Sequence, residues 1–214
     1  MARRSPPAHT LVLLVRHGQT PTTGAVLPGR APGLHLADAG RAQAERAAER
    51  VAALRDVAAV YASPLERTRE TAAPIARAVG RRVRTRRGLL ECDFGDWTGA
   101  ELKALRKLPE WTVVQRQPSA FRFPGGESIA EMQVRITSTV RDLAAEHRGG
   151  TIVCVSHADP IKAVIADAVG SHLDAFQRLV VSPCSITAIL YGVDATTVLT
   201  VNSTGDDLTT LAPS

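Results

Sequence analysis

Two apolar runs in this chain end on a histidine, and that repetition defines the chemistry open to it. Leu11-Val12-Leu13-Leu14-Val15 leads directly into Arg16-His17-Gly18, and Val153-Cys154-Val155 leads into Ser156-His157. Parallel strands flanked by helices deliver their carboxyl ends to the ligand crevice, so both imidazoles are expected there. A neutral imidazole attacks phosphorus without a stronger base, which makes His17 a candidate nucleophile. A guanidinium matches phosphate oxygens in bidentate geometry, and Arg16 stands beside that nucleophile. Phosphate-ester cleavage also needs further cationic donors and an acid for the leaving oxygen.

Two more segments offer those parts. Ser63-Pro64-Leu65-Glu66-Arg67-Thr68 follows the strand signal Ala58–Ala62. It reads as a helix start with a Ser cap, Pro at the first helical position and Glu at the third. Arg67 then lies at a helix N-terminus, which already favours anions. Leu90-Glu91-Cys92-Asp93-Phe94-Gly95-Asp96-Trp97 places carboxylates beside aromatic rings. Desolvation there raises a carboxyl pKa, as an acid working near neutrality requires. Composition leaves Glu91, Asp93 and Asp96 equal in this role.

The elements that must position these residues alternate. Strands are expected at Leu11–Val15, Ala58–Ala62, Arg82–Arg86, Thr151–Ser156, Ser185–Tyr191 and Thr197–Val201. Asp38 is placed to cap a helix running through Gln43 to Leu54, and Ser128-Ile129-Ala130-Glu131 is a second capping box. Ile129, Met132, Ile136, Val140 and Leu143 then form an amphipathic stripe. Ile161–Val169 reads as a helix closed by Gly170. The alternation predicts an α/β fold, a three-layer α/β/α sandwich on a mostly parallel central sheet. Residues 10–214 are expected to form one domain behind a disordered leader at 1–9. Residues 99–127 interrupt the pattern with a short helix (Glu101–Leu108) and read as a lid-like insertion. Phe94, Trp97, Trp111, Phe121 and Phe123 are five of the chain's eight aromatics, and their concentration suggests a lid or pocket wall rather than ordinary core.

Composition narrows the partners. Lys and Arg number 26 against 21 Asp and Glu, a formal net charge of only +5. The run Arg81, Arg82, Arg84, Arg86 and Arg87 has no interleaved aromatic, so a charged strand edge is favoured over nucleic-acid binding. Cys92, Cys154 and Cys184 are odd in number and widely spaced, without disulfide or metal-ligand pattern. No apolar run approaches a membrane span, and a cytoplasmic location is expected.

In order along the chain, Arg16-His17-Gly18-Gln19-Thr20, Ser63 to Thr68, Glu91 with Gly95-Trp97-Gly99, Pro124-Gly125-Gly126-Glu127-Ser128 and Ser156-His157 resemble the histidine phosphatase superfamily, in its phosphoglycerate-mutase-like branch. The resemblance spans about residues 10–203. It implies that His17 is phosphorylated and then hydrolysed by water, that Arg16, Arg67 and His157 line the phosphate pocket, and that Glu91 is the proton donor. Thr20, Thr23 and Ala158 join them as phosphate- or substrate-binding positions. It implies no metal or organic cofactor, and a small phosphorylated metabolite as substrate; the oligomeric state, a homodimer included, stays open. Departures are Thr23 where Asn is common, Thr98 in place of Glu, Ala158-Asp159 after His157 where Gly is usual, and Lys162 at a position often held by Arg. The implied activity is a phosphatase acting on a small phosphate monoester. The alternatives are a 2,3-bisphosphoglycerate-dependent phosphoglycerate mutase or other phosphomutase, and a phospho-ligand-binding module without turnover.

Overall fold

The computed structural model describes residues 9–54 and 56–205. The expected leader, apart from His9, lies outside the described residues. Six strands form one sheet: β1 (Thr10–Arg16), β2 (Val57–Ala62), β3 (Val83–Thr85), β4 (Thr151–Ser156), β5 (Ile186–Tyr191) and β6 (Thr196–Ser203), in the order β3-β2-β4-β1-β5-β6. The pairs β1–β4, β2–β4 and β2–β3 are parallel, and β5 is antiparallel to both neighbours. β5 alone therefore opposes the other five strands, and the mostly parallel sheet is as expected.

The continuous apolar runs reflect burial on both faces of the sheet. Val12 and Leu14 of β1 join Tyr61, Ile152 and Cys154 in one core; Leu13 and Val15 join Val60, Val153 and Val155 in the other. The helices α5 (Ile129–Glu146) and α6 (Ala158–Ala168) cover the first face, through residues such as Ile136 and Ile165. The second face is covered by α1 (Asp38–Ala52) and α2 (Glu66–Ala78), through Ala44, Val51, Ala72 and Ile75. Three layers result. Strand β3 is shorter than the expected Arg82–Arg86 and lies at the sheet edge with Arg84 exposed, while Arg86 just after it stacks over the Tyr61 ring at 4.9 Å.

Helix starts follow the expectations unevenly. The second capping box forms in full: Ser128 Oγ accepts from the Glu131 N–H at 3.1 Å, and Glu131 Oε2 accepts from the Ser128 N–H at 2.9 Å. Asp38, by contrast, is already the first helical residue of α1, and its predecessor Ala37 has no side chain to cap with. Helix α6 begins at Ala158, three residues before the expected Ile161. Pro160 falls in its first turn, where an N–H has no intrahelical partner anyway.

Residues 99–127 are more helical than their punctuation suggests, holding α3 (Leu102–Leu105), α4 (Pro109–Arg116) and a single 3-10 turn at Pro118–Ala120. The aromatic cluster is chiefly core. Phe94, Trp97, Phe121 and Phe123 are buried in the larger core against α5, and Trp111 is half-buried, stacked on Trp97 with ring centroids 6.3 Å apart. The rings pack there together with Leu105, Val114, Ile129 and Met132. Phe94 alone of the five also borders the cavity at the strand ends.

Candidate active site

The neighbouring parallel strands β2, β4 and β1 end at one edge of the sheet, and their ladders continue for a further residue. The His17 N–H donates to Ser156 O and the Ser63 N–H to Val155 O, each at 3.0 Å. This registration brings His17 and His157 edge to face, with ring centroids 5.3 Å apart. Close backbone packing supports the turn after His17: a Cβ on Gly18 would stand 2.5 Å from the Gly40 carbonyl oxygen. Glycine at both positions lets the start of α1 lie directly on that turn.

The proton positions on the two imidazoles follow from their partners. His17 Nδ1 faces the Gly18 carbonyl oxygen at 2.8 Å. A carbonyl only accepts, so Nδ1 carries the hydrogen and Nε2 keeps its lone pair. Burial first, then Arg67 and Arg16, hold the His17 imidazole down at about 3. His157 is pushed well below its usual value by burial and by the same cations, Arg67 ahead of Arg16. His157 Nε2 lies 2.9 Å from Ser63 Oγ. The expected capping box at Ser63 does not form. Ser63 Oγ accepts from the Leu65 N–H at 3.4 Å, Leu65 stays extended, and α2 starts at Glu66 without a side-chain cap.

Arg67, the second residue of α2, is fully buried and donates from Nη2 to the Gly29 carbonyl at 2.7 Å. Arg16 donates from Nη1 to the Val181 carbonyl at 2.7 Å. Among the described residues, Arg16 Nε, Arg67 Nε, Arg67 Nη1 and His157 Nδ1 are buried without a hydrogen-bond partner. Buried donors are rarely left so. A cluster of them between two guanidiniums is suited to the oxygens of a phosphate.

A cavity of about 430 Å³ opens at this edge, and Arg16, His17, Thr20, Thr23, Glu91 and Ala158 all line it. His157 is buried against the His17 ring, and Arg67 is buried at the start of α2. Six of the eight expected site residues thus line one cavity, and the other two, Arg67 and His157, are fully buried. Thr23 is occupied locally: its Oγ1 accepts from the Thr20 N–H at 2.8 Å and lies 3.0 Å from Thr20 Oγ1, closing the turn that presents Thr20. His35 is exposed, with its Nδ1 hydrogen-bonded to Glu70.

The three carboxylates left equal by composition separate clearly. Asp96 is exposed, and Asp93 is ion-paired with Arg30 at 3.2 Å. Glu91 is buried in the cavity wall, its Oε1 accepting from the Cys92 N–H at 2.9 Å. Burial, then the nearby Asp159, raise its carboxyl to about 7, against the opposing pull of Arg67 and Arg16.

Several neighbours went unread in the sequence. Arg135 of α5 donates to the carbonyls of Gly88, Leu90 and Glu91 at 2.8, 2.9 and 3.2 Å, and grips both oxygens of Glu127 at 2.8 Å. Arg30 adds bonds to the Glu91 carbonyl and to Glu127, each at 2.9 Å. This clamp fixes the backbone on which Glu91 rides and gives Glu127 of the Pro-Gly-Gly-Glu-Ser motif its place. No local spacing reveals it, because its members are far apart in sequence. Asp159, Lys162 and Gln177 also line the cavity, with Lys162 Nζ 3.4 Å from Asp159 and 3.1 Å from Gln177. Among the described residues, no group of three or more His, Cys, Asp or Glu could hold a metal ion, and no helix is long and apolar enough to cross a membrane.

Known proteins place this geometry in context. The family model "Histidine phosphatase superfamily (branch 1)" matches residues 12–204. Phosphoserine phosphatase 1 of Hydrogenobacter thermophilus is 31% identical over 173 residues, 77% of this chain and 79% of that protein. Uncharacterized protein Rv0525 of Mycobacterium tuberculosis is 39% identical over 158 residues, 72% of this chain and 76% of that one. The solved structure of an Entamoeba histolytica phosphoserine phosphatase mutant in complex with phosphoserine superposes with a TM-score of 0.82 at 26% identity, covering 91% of this chain and 98% of the other. The chain belongs to branch 1 of the histidine phosphatase superfamily, the phosphoglycerate-mutase-like group.

Proposed function

We propose that this chain is a phosphatase that hydrolyses a small phosphate monoester through a phosphohistidine at His17. The observation that carries the reading is the pairing of a neutral, oriented His17 with a buried Glu91 whose carboxyl titrates near neutrality, in one cavity. His17 Nε2 attacks phosphorus as the bond to the leaving oxygen breaks. Glu91 gives that oxygen its proton and becomes a carboxylate. The same carboxylate then takes a proton from water, whose oxygen attacks the phosphohistidine. Phosphate leaves, and both His17 and Glu91 return to their starting states.

Arg16 and Arg67 hold the non-bridging oxygens throughout. Ser63 donates its hydroxyl hydrogen to His157 Nε2, which leaves the proton of His157 on Nδ1, free to donate to phosphate. The charge that meets the substrate thus resides on guanidiniums, whose protonation does not vary in the working pH range.

The deciding experiment gives the purified protein p-nitrophenyl phosphate, and separately 3-phosphoglycerate with and without 2,3-bisphosphoglycerate. Phosphate release supports the reading. Rapid formation of 2-phosphoglycerate would assign a mutase instead, and no turnover of any ester would leave a binding module.

Two variants probe the acid. Glu91→Gln should slow hydrolysis of alkyl phosphates by roughly 10²- to 10³-fold, and of p-nitrophenyl phosphate far less, because nitrophenolate leaves without a proton. Equal losses on both would remove Glu91 from that role. Because the acid works protonated, alkyl-phosphate turnover should fall as pH rises through about 7. Asp159 is one of the charges raising Glu91, so Asp159→Asn should move this falling limb to lower pH, by about half a unit. An unmoved or upward-shifted limb in the pH–rate profile would count against it.

A further inference from the structure

A second cleft, of about 240 Å³, adjoins the cavity at His17 and shares six wall residues with it: Leu27, Phe94, Leu102, Asp159, Lys162 and Gln177. It extends away from His17 beneath α4, where Trp111, Val114 and Phe123 complete its wall. We propose, resting on the phosphatase reading above, that this cleft seats the leaving-group half of the substrate, and that the substrate is the monophosphate of an alcohol with an extended, largely apolar body.

The direction of the ester follows from the site. With phosphorus at His17 and the leaving oxygen facing Glu91, the alcohol must run along the wall common to both spaces, because Phe94 and Leu102 border each of them. Leu27, Phe94 and Leu102 form its apolar half, opposite Asp159, Lys162 and Gln177, and the cleft adds Trp111, Val114 and Phe123 to the apolar side. Leu27, Leu102 and Trp111 are half-buried, keeping apolar surface open to the cleft. The Trp111 ring is held in place by its stacking on Trp97. A fixed ring and two aliphatic side chains favour an apolar ligand whose burial removes surface from water.

The polar groups do not suit a short acid. Lys162 is the one cation on the shared wall, and it is tied to Asp159 and Gln177. A substrate carboxylate reaching for Lys162 would meet Asp159 as well. The cleft's other polar linings, Arg106 and Gln115, are exposed. A three-carbon acid held at His17 would leave the apolar walls around Trp111 uncovered.

The test compares kcat/KM across ethyl, butyl, hexyl and 2-phenylethyl phosphates, with O-phosphoserine and 3-phosphoglycerate alongside. All of these esters release alcohols that need a proton, so differences report on how the alcohol is bound rather than on its leaving ability. A fully buried methylene is worth up to about fourfold. The rise from ethyl to hexyl should therefore reach at least about tenfold, and both acids should fall below hexyl phosphate. Trp111→Ala should cut the hexyl-to-ethyl ratio by threefold or more, with circular dichroism reporting whether it folds; Leu102→Gln is the second variant. A flat alkyl series in the wild-type protein, or preference for O-phosphoserine, overturns this inference while leaving the phosphatase reading standing. Failure to hydrolyse any ester, p-nitrophenyl phosphate included, overturns both.

Discussion

His17→Ala should abolish turnover of every phosphate ester, by roughly 10⁴-fold or more, while leaving the fold and most phosphate affinity in place. The size of the loss follows from the number of roles that one ring combines. Its Nδ1–H is held by the Gly18 carbonyl, so Nε2 is both unprotonated and aimed without further ordering. Burial and the two arginines keep it neutral down to about pH 3, so its lone pair stays available across the working pH range. His157 offers no substitute, because its Nε2 is engaged by Ser63. Structure should survive because the contact joining His17 to β4 is the backbone bond to Ser156, which alanine retains. Steady-state hydrolysis of p-nitrophenyl phosphate, intact-mass detection of an acid-labile phosphoenzyme, and inorganic phosphate binding measure the three parts. Turnover within a hundredfold of wild type, or a phosphoenzyme persisting in the variant, would place the nucleophile elsewhere.

The same residues show why so much of the site could be read from the chain and why some could not. A buried central strand is a continuous apolar run, and its end is marked by the first polar residue, so Arg16-His17 and Ser156-His157 announced themselves. The register that joins them through β4 was not visible, yet three parallel strands have their ends at one edge whatever their order. The structure departs from these expectations where tertiary packing overrides local spacing. Ser63 has the spacing of a helix cap, but the chain stays extended through Leu65 and the helix begins only at Glu66, with Ser63 Oγ against the His157 ring. The aromatics of residues 94–123 point to a lid or pocket wall because they are sparse and irregularly spaced; four of them fill core, and Phe94, Trp111 and Phe123 also line the spaces near His17. Glu91 could be told from Asp93 and Asp96 by resemblance alone, since their difference lies in burial and in the Arg30–Arg135–Glu127 clamp. That clamp joins residues up to 105 positions apart, a separation no local pattern encodes.

Arg67→Met should make the protein more stable and nearly inactive. Arg67 has no exposed surface, a single hydrogen bond to Gly29, and two nitrogens without partners among the described residues. Its nearest compensation is the field of Glu91 and Glu66, opposed by Arg16. A buried charge so poorly paired costs several kcal/mol of desolvation that the fold recovers only when an anion binds. Methionine fills similar space with an adaptable apolar chain, and the lost bond to Gly29 offsets about 1 kcal/mol of the gain. A net gain of about 1–2 kcal/mol would raise Tm by roughly 2–8 °C for a chain of this size. Catalysis should fall by roughly 10²- to 10³-fold on alkyl and nitrophenyl esters alike, because charge on the transferred phosphoryl group is common to both. Millimolar vanadate or phosphate should then reverse the order of stabilities, since ligand binding raises the Tm of the native protein and not that of the variant. Thermal unfolding with and without the anion reads this directly. A variant less stable than wild type, or one still stabilised by phosphate, would mean that Arg67 is held by the fold for its own sake rather than kept in reserve for the substrate.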